Sequence, residues 1–215
     1  IPRCVEYLDK AALDLVRDHL TFELTKNVRA LLILEMDGDP VSVQKDSEQV
    51  DSLCRSFGAL DILEAKTDAE AQKLWDARKA LSPVMYKIAT NKINEDIVVP
   101  IDKIPDIVAV TKKLQEKYRL KVVAFGHAGD GNIHCNILYD KVGDDQETRA
   151  HKAVDELFRS VLKLGGTITG EHGVGLTKLE YLPLEAGPVQ MELMRGIKRV
   201  FDPKNLLNPR KIFSE

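Results

Sequence analysis

Phe125-Gly126-His127-Ala128-Gly129-Asp130-Gly131-Asn132-Ile133-His134-Cys135-Asn136 is the stretch that decides the fold. Apolar residues flank it on both sides, and Gly129-Asp130-Gly131 in its middle is turn chemistry. The pattern predicts a hairpin of strands 121–127 and 132–139. His127 and His134 are an odd step apart, so one uninterrupted strand would send them to opposite faces. A hairpin instead brings the two imidazoles together from neighbouring strands. By the same alternation Cys135 points away from His134 and Asn136, as buried filler.

A second glycine-rich cluster, Gly165-Gly166-Thr167-Ile168-Thr169-Gly170-Glu171-His172-Gly173-Val174-Gly175, follows downstream. Taken singly, a strand histidine is an ordinary core residue and a glycine-rich loop is a turn. Two such clusters in one chain supply His127, His134 and Glu171 as a two-His, one-carboxylate metal set, with His172 alongside. Those donors suit Zn²⁺, Mn²⁺ or Fe²⁺. Asp130 has two readings, a turn residue or a partner behind a metal-bound imidazole.

Outward from the hairpin the elements alternate. Towards the N-terminus the pattern gives strand 3–8, helix 10–19, a central strand at 28–36, helix 41–57 and a short strand 60–65. Thr67 and Glu70 form a capping-box pattern for a helix that reaches Ser82, where Pro83 disturbs it. Residues 83–94 are expected as a substrate loop, followed by strand 95–101 and a helix from Pro105 to 118. Beyond the hairpin come a charged loop at 141–148, a helix ending at 164 and a last long helix at 186–201. This succession predicts an α+β domain, a largely antiparallel sheet with helices on one face, in a duplicated ferredoxin-like arrangement.

The 215 residues carry a net charge of −3 and ordinary hydrophobic and charged fractions, 44% and 30%. Nothing in that balance calls for nucleic acid or an anionic membrane surface. No apolar run approaches the roughly 20 residues of a transmembrane helix. Cys4, Cys54 and Cys135 lack CxxC spacing, which predicts free thiols and a cytoplasmic setting. Neither G-x-G-x-x-G nor G-x-x-x-x-G-K-[ST] is present, so the chain holds no self-sufficient nucleotide cradle.

Three segments, FGHAGDGNIHCNI, GGTITGEHGVGLTKLEYL and IKRVFDPKNLLNPRKIF, resemble the C-terminal half of FAD-linked 2-hydroxyacid oxidases. That group includes the glycolate oxidase flavin subunit, D-lactate dehydrogenases and D-2-hydroxyglutarate dehydrogenase, and the resemblance runs over essentially the whole chain. It implies a cap, or substrate, domain over residues 1–215, with FAD held mainly by an N-terminal domain absent from this chain. The opening at Ile1-Pro2, with strand-like residues directly after it, fits the same expectation. The resemblance further implies metal ligation by His127, His134 and Glu171, a substrate contact at Asn136 and proton acceptance by His172. Asn208 and Lys211 would lie near the cofactor, although Arg210 stands where the family often has Gly.

Arg78 and Ser82 lie one helical turn apart. Their residue types alone read as a solvated helix face, with Asp76, Arg78 and Lys79 in water. The resemblance matches them to an Arg and a Thr that bind substrate in the hydroxyglutarate branch. That branch's lysine falls at Asn94 here, with Lys92 nearby, which favours a monocarboxylate such as glycolate or D-lactate. The implied electron acceptors are an iron–sulfur subunit, a quinone or an electron-transfer flavoprotein. A metal-dependent hydrolase and a non-catalytic ferredoxin-like binding module are the alternatives from other classes.

Overall fold

The computed structural model describes residues 1–20, 22–25, 27–141 and 145–214. Residues 142–144 of the expected charged loop lie outside that set. Five strands, β1 (Cys4–Leu8), β2 (Leu31–Glu35), β3 (Asn91–Val98), β4 (Lys121–His127) and β5 (Asn132–Tyr139), form one sheet in the order β2-β1-β4-β5-β3. Each neighbouring pair is antiparallel, so the expected α+β class is formed and both halves of the chain share one sheet.

The helices are α1 (Lys10–Val16), α2 (Pro40–Ser56), α3 (Asp68–Met85), α4 (Ile104–Tyr118), α5 (Gln146–Lys163), α6 (Leu182–Glu185) and α7 (Pro188–Phe201). Side-chain caps start three of them. Asp9 accepts from Ala12 N at 2.7 Å, Asp39 from Val41 and Ser42, and Thr67 from Glu70. Each satisfies amides that the first helical turn leaves unpaired. The first helix is shorter than expected, with residues 17–19 tightening into a 3-10 turn.

Helices cover both sheet faces rather than one. On β4, Val122 and Ala124 join a core with Ile107 and Leu114 of α4 and Leu157 and Phe158 of α5. Val123 and Phe125 point the other way, into a cluster with Ala12 and Val16 of α1 and Leu81 and Met85 of α3. Strand β5 is consequently buried along its whole length. Cys135 lies in the first core, on the face opposite His134, where burial pushes its thiol up.

Three other expectations change. The apolar run at 28–36 becomes an edge strand rather than a central one, with Leu32 47% exposed. Among the described residues 60–65 form no strand. Leu60 and Leu63 are exposed, with no sheet edge beside them. The supposed substrate loop at 83–94 is mostly regular structure, because α3 runs to Met85 and β3 begins at Asn91. Pro83 falls in the last helical turn, where one missing amide costs a single intrahelical bond. Burial of Leu81, Val84 and Met85 outweighs that loss.

The hairpin turn requires glycine at 131. Its φ is +84°, and a Cβ there would lie 2.0 Å from the Val99 carbonyl oxygen. One long face of α7 is apolar and exposed, formed by Val189, Leu193, Ile197, Val200 and Phe201. Among the described residues no helix is long and apolar enough to cross a membrane.

Candidate functional site

Sheet register builds the site. His127 pairs with Asn132, Phe125 with His134 and Val123 with Asn136 across β4 and β5. Glu6 of β1 pairs with His127, and Asp96 of β3 pairs with His134. Directly paired residues share a face, so Glu6, His127, Asn132, His134, Asn136 and Asp96 all project from the same side. The two histidine rings meet edge to face with centroids 5.5 Å apart.

The loop after α5 brings the remaining groups. Thr167 bridges to Val98 on the β3 edge, exchanging hydrogen bonds of 2.9 and 3.1 Å. Past it, Oδ2 of Asp96 accepts three successive backbone amides, from Gly170 and His172 at 2.9 Å and from Glu171 between them. The chain there lies flat on the sheet, and a Cβ on Gly170 would come within 1.9 Å of Asn132 Nδ2. Lys178, 2% exposed, closes the arrangement from beneath. Its ammonium donates to the carbonyls of Ile168 at 2.9 Å and Asp96 at 3.1 Å, and to Oδ1 of Asp96. Burial opposes ionisation of Asp96, but the Lys178 bond and the loop amides outweigh it and hold the carboxyl below the usual range. Glu95, on the opposite face, is pushed up to about 7 by burial, with Lys178 offsetting part of the rise.

Held this way, Glu171 reaches both histidines, with its oxygens 3.4 Å from His127 Nε2 and 3.9 Å from His134 Nε2. One donor atom from each of these three residues lies within 4.8 Å of the others, a grouping that could hold a metal ion. Burial, then the neighbouring His127, pushes the His134 pKa down, which keeps its imidazole neutral as ligation requires. His172 stacks beside His134 at 5.7 Å, its Nδ1 3.4 Å from Asp96 Oδ1. Four buried polar atoms on this face have no protein partner among the described residues: both amide atoms of Asn132, His134 Nδ1 and Asn136 Oδ1. Buried polar groups normally find partners, so such a concentration points to a ligand surface.

Arg78 of α3 lies at the same face. Its Nε donates to Glu6 at 2.7 Å, and its guanidinium stacks over Phe125 at 4.3 Å. Its terminal nitrogens have no partner among the described residues. The other oxygen of Glu6, a residue 1% exposed, meets His127 Nδ1. Asp130 acts as the turn residue, accepting from Asn132 N at 3.0 Å, while Glu6 is the carboxylate behind the histidine.

The sequence matches the family described as FAD linked oxidases, C-terminal domain, over residues 1–212. The chain belongs to that family. Among its relatives is the glycolate oxidase subunit GlcD of Bacillus subtilis, 35% identical over the whole chain, which covers 46% of that protein. A D-lactate dehydrogenase of Anaerostipes hadrus is 38% identical over 86% of the chain, covering 39% of that protein. The chain thus spans less than half the length of these relatives. The fold is also that of a p-cresol methylhydroxylase crystallised with substrate, with a TM-score of 0.69 at 18% identity, covering 97% of this chain and 46% of that one.

Other expected residues of this FAD-linked oxidase C-terminal domain lie around the cluster. Asn136 is fully buried, and its amide nitrogen donates to the carbonyls of Val123 and His134 at 3.4 Å. Ser82 accepts from Lys92 at 2.9 Å, so Lys92 spans from β3 to α3. Asn208 and Lys211 lie on the exposed C-terminal tail, which returns to the glycine-rich loop through Ile212 N and Gly175 O at 2.9 Å. Glu6, Asp96 and Lys178 were missed by motif reading. A charged residue between apolar neighbours, as in Val5-Glu6-Tyr7, is a sequence signal for Glu6 alone, since Asp96 follows Asn94-Glu95 and Lys178 lies in the mixed stretch Leu176-Thr177-Lys178-Leu179-Glu180.

Proposed function

We propose that this chain is the substrate-side half of an FAD-dependent dehydrogenase of small D-2-hydroxy acids, of the glycolate or D-lactate kind. The observation that carries the reading is the convergence on one sheet face of two histidines and a carboxylate, a third imidazole facing a buried carboxylate, and a guanidinium whose terminal nitrogens are unpartnered among the described residues. The glycolate oxidase and D-lactate dehydrogenase relatives supply the substrate class.

In this reading His127, His134 and Glu171 would hold a divalent cation, whose Lewis acidity would polarise the substrate hydroxyl, and FAD would be the hydride acceptor. Arg78 holds the substrate carboxylate with its two terminal nitrogens, a planar fork that a lysine lacks. His172 takes the hydroxyl proton at Nε2, because its Nδ1 faces the buried Asp96 carboxylate. Asn136, matched by the resemblance to a substrate contact, lies on this same face with its amide oxygen free of a protein partner among the described residues. Lys92 is already engaged by Ser82, so a single carboxylate is recognised rather than two. The exposed apolar face of α7 and the tail carrying Asn208 and Lys211 suit a flavin domain packed against them.

Titrating the full-length protein with glycolate, D-lactate and D-2-hydroxyglutarate, and following bleaching of the flavin absorbance, tests this. Glycolate or D-lactate should reduce the flavin at the lowest concentration. Arg78→Lys should raise the apparent Kd without removing the spectral change. Preference for D-2-hydroxyglutarate would overturn the single-carboxylate assignment. A flavin that none of the three reduces would overturn the substrate class.

A further inference from the structure

Glu6 is a carboxylate at 1% exposure whose two oxygens point at two different functional groups. Oε2 accepts from Arg78 Nε at 2.7 Å, and Oε1 faces His127 Nδ1. Arg78 in turn stacks on Phe125, whose ring lies 5.7 Å from His134, and His134 meets His127 at 5.5 Å. The circuit Glu6–Arg78–Phe125–His134–His127 closes on itself. Resting on the reading above, we propose that Glu6 is the positioning residue for both halves of the site. It fixes His127 in the tautomer whose Nε2 is free for a cation, and it aims the Arg78 fork at the substrate carboxylate.

The argument is one of donors and acceptors. A carboxylate offers only acceptors, so a ring nitrogen facing it donates. Both ring nitrogens of His127 face a carboxylate, but Glu6 is buried and in close contact whereas Glu171 is solvated and 3.4 Å away, so the proton sits on Nδ1 and Nε2 is the position left for a cation. Arg78 Nε is likewise an obligate donor. Only a side chain with two acceptor atoms serves both partners at once. In Glu6→Gln, the single amide oxygen goes to Arg78, which cannot give up its proton. The amide NH₂ then faces Nδ1 of His127, which must accept, so its proton moves to Nε2 and blocks the ligand position.

The test uses full-length, flavin-loaded, metal-free protein with ¹⁵N-labelled histidine at about pH 8. The His127 signals are assigned from their loss in His127→Gln. The unaltered protein should show His127 protonated at Nδ1, a result that needs no variant to fold. Glu6→Gln should shift the proton to Nε2 and lower Zn²⁺ affinity, measured against a competing chelator, by about 10–100-fold. An Nε2-protonated His127 in the unaltered protein, or Glu6→Gln with tautomer and Zn²⁺ affinity unchanged, overturns the proposal. Zn²⁺ that fails to bind the unaltered protein while His127 is protonated at Nδ1 sinks the metal assignment instead, and supports Glu6 as the group that sets the ring.

Discussion

Lys178→Met should be among the most damaging single changes outside the hydrophobic cores. Lys178 is 2% exposed and faces Asp96 at 0% and Glu95 at 5% exposure. Its ammonium donates to two backbone carbonyls and to the Asp96 carboxylate, and lies 3.5 Å from Glu95. Methionine fills similar space but leaves two carboxylates buried without a counter-charge. Breaking a buried pair from one side costs about 3–5 kcal/mol, a large share of a domain's total of about 5–15 kcal/mol. Partial relief comes from Glu95, whose pKa of about 7 lets it take a proton, so the lower end of that range is expected near pH 6 and the upper end near pH 8. The exposed Lys10–Asp14 pair is the control, and Lys10→Met should change stability by no more than about 0.5 kcal/mol. Urea unfolding of the 215-residue chain reads both, with the denaturant slope checked for constancy. Adding Glu95→Gln and Asp96→Asn to Lys178→Met should recover more than half the loss. The Asn oxygen still accepts the amides of residues 170–172, and no buried charge is left. A Lys178→Met loss under about 1 kcal/mol, or a triple variant weaker than the single one, would refute the reasoning.

Glu95→Gln alone tests the pH linkage. An acid raised from about 4.3 unfolded to about 7 folded keeps its proton longer in the folded state, so stability falls as pH rises through that window and levels off above it. The variant should flatten this slope and gain roughly 3–4 kcal/mol at pH 8 relative to its effect at pH 4, seen in unfolding midpoints across pH. Gly131→Ala should destabilise the hairpin by about 2 kcal/mol or more, because φ is +84° and the Val99 carbonyl blocks the Cβ. Amide exchange in residues 127–133 and 98–99 should speed up first. In the full-length enzyme, His172→Ala should slow flavin reduction about 10²–10⁴-fold while moving substrate Kd little, resolved by stopped flow over substrate concentration. A Kd effect that dominates would make His172 a substrate anchor.

Much of the fold is legible in the chain because local rules agree with the tertiary outcome. Gly129-Asp130-Gly131 between two apolar runs fixes the hairpin, and with it the convergence of His127 and His134. Thr67 and Glu70 set the start of α3, although the sequence places its end at Ser82, three residues too early. The class and the glycine-rich loop carrying Glu171 and His172 follow from residue type and spacing.

What the tertiary structure alone decided is pairing across distance. Strand alternation tells which residues share a face of one strand, but not which strand lies beside it. Glu6 therefore looks like an ordinary strand residue until β1 is seen next to β4, where it becomes the carboxylate between Arg78 and His127. Asp96 and Lys178 are 82 positions apart, and neither has a local reason to be charged and buried. Each tolerates burial only because the other is present, and that compensation exists only once β3 and the loop after α5 meet. The coverage of both sheet faces has the same origin. The all-apolar run of residues 122–125 is compatible with either arrangement until two separate helix pairs pack against it.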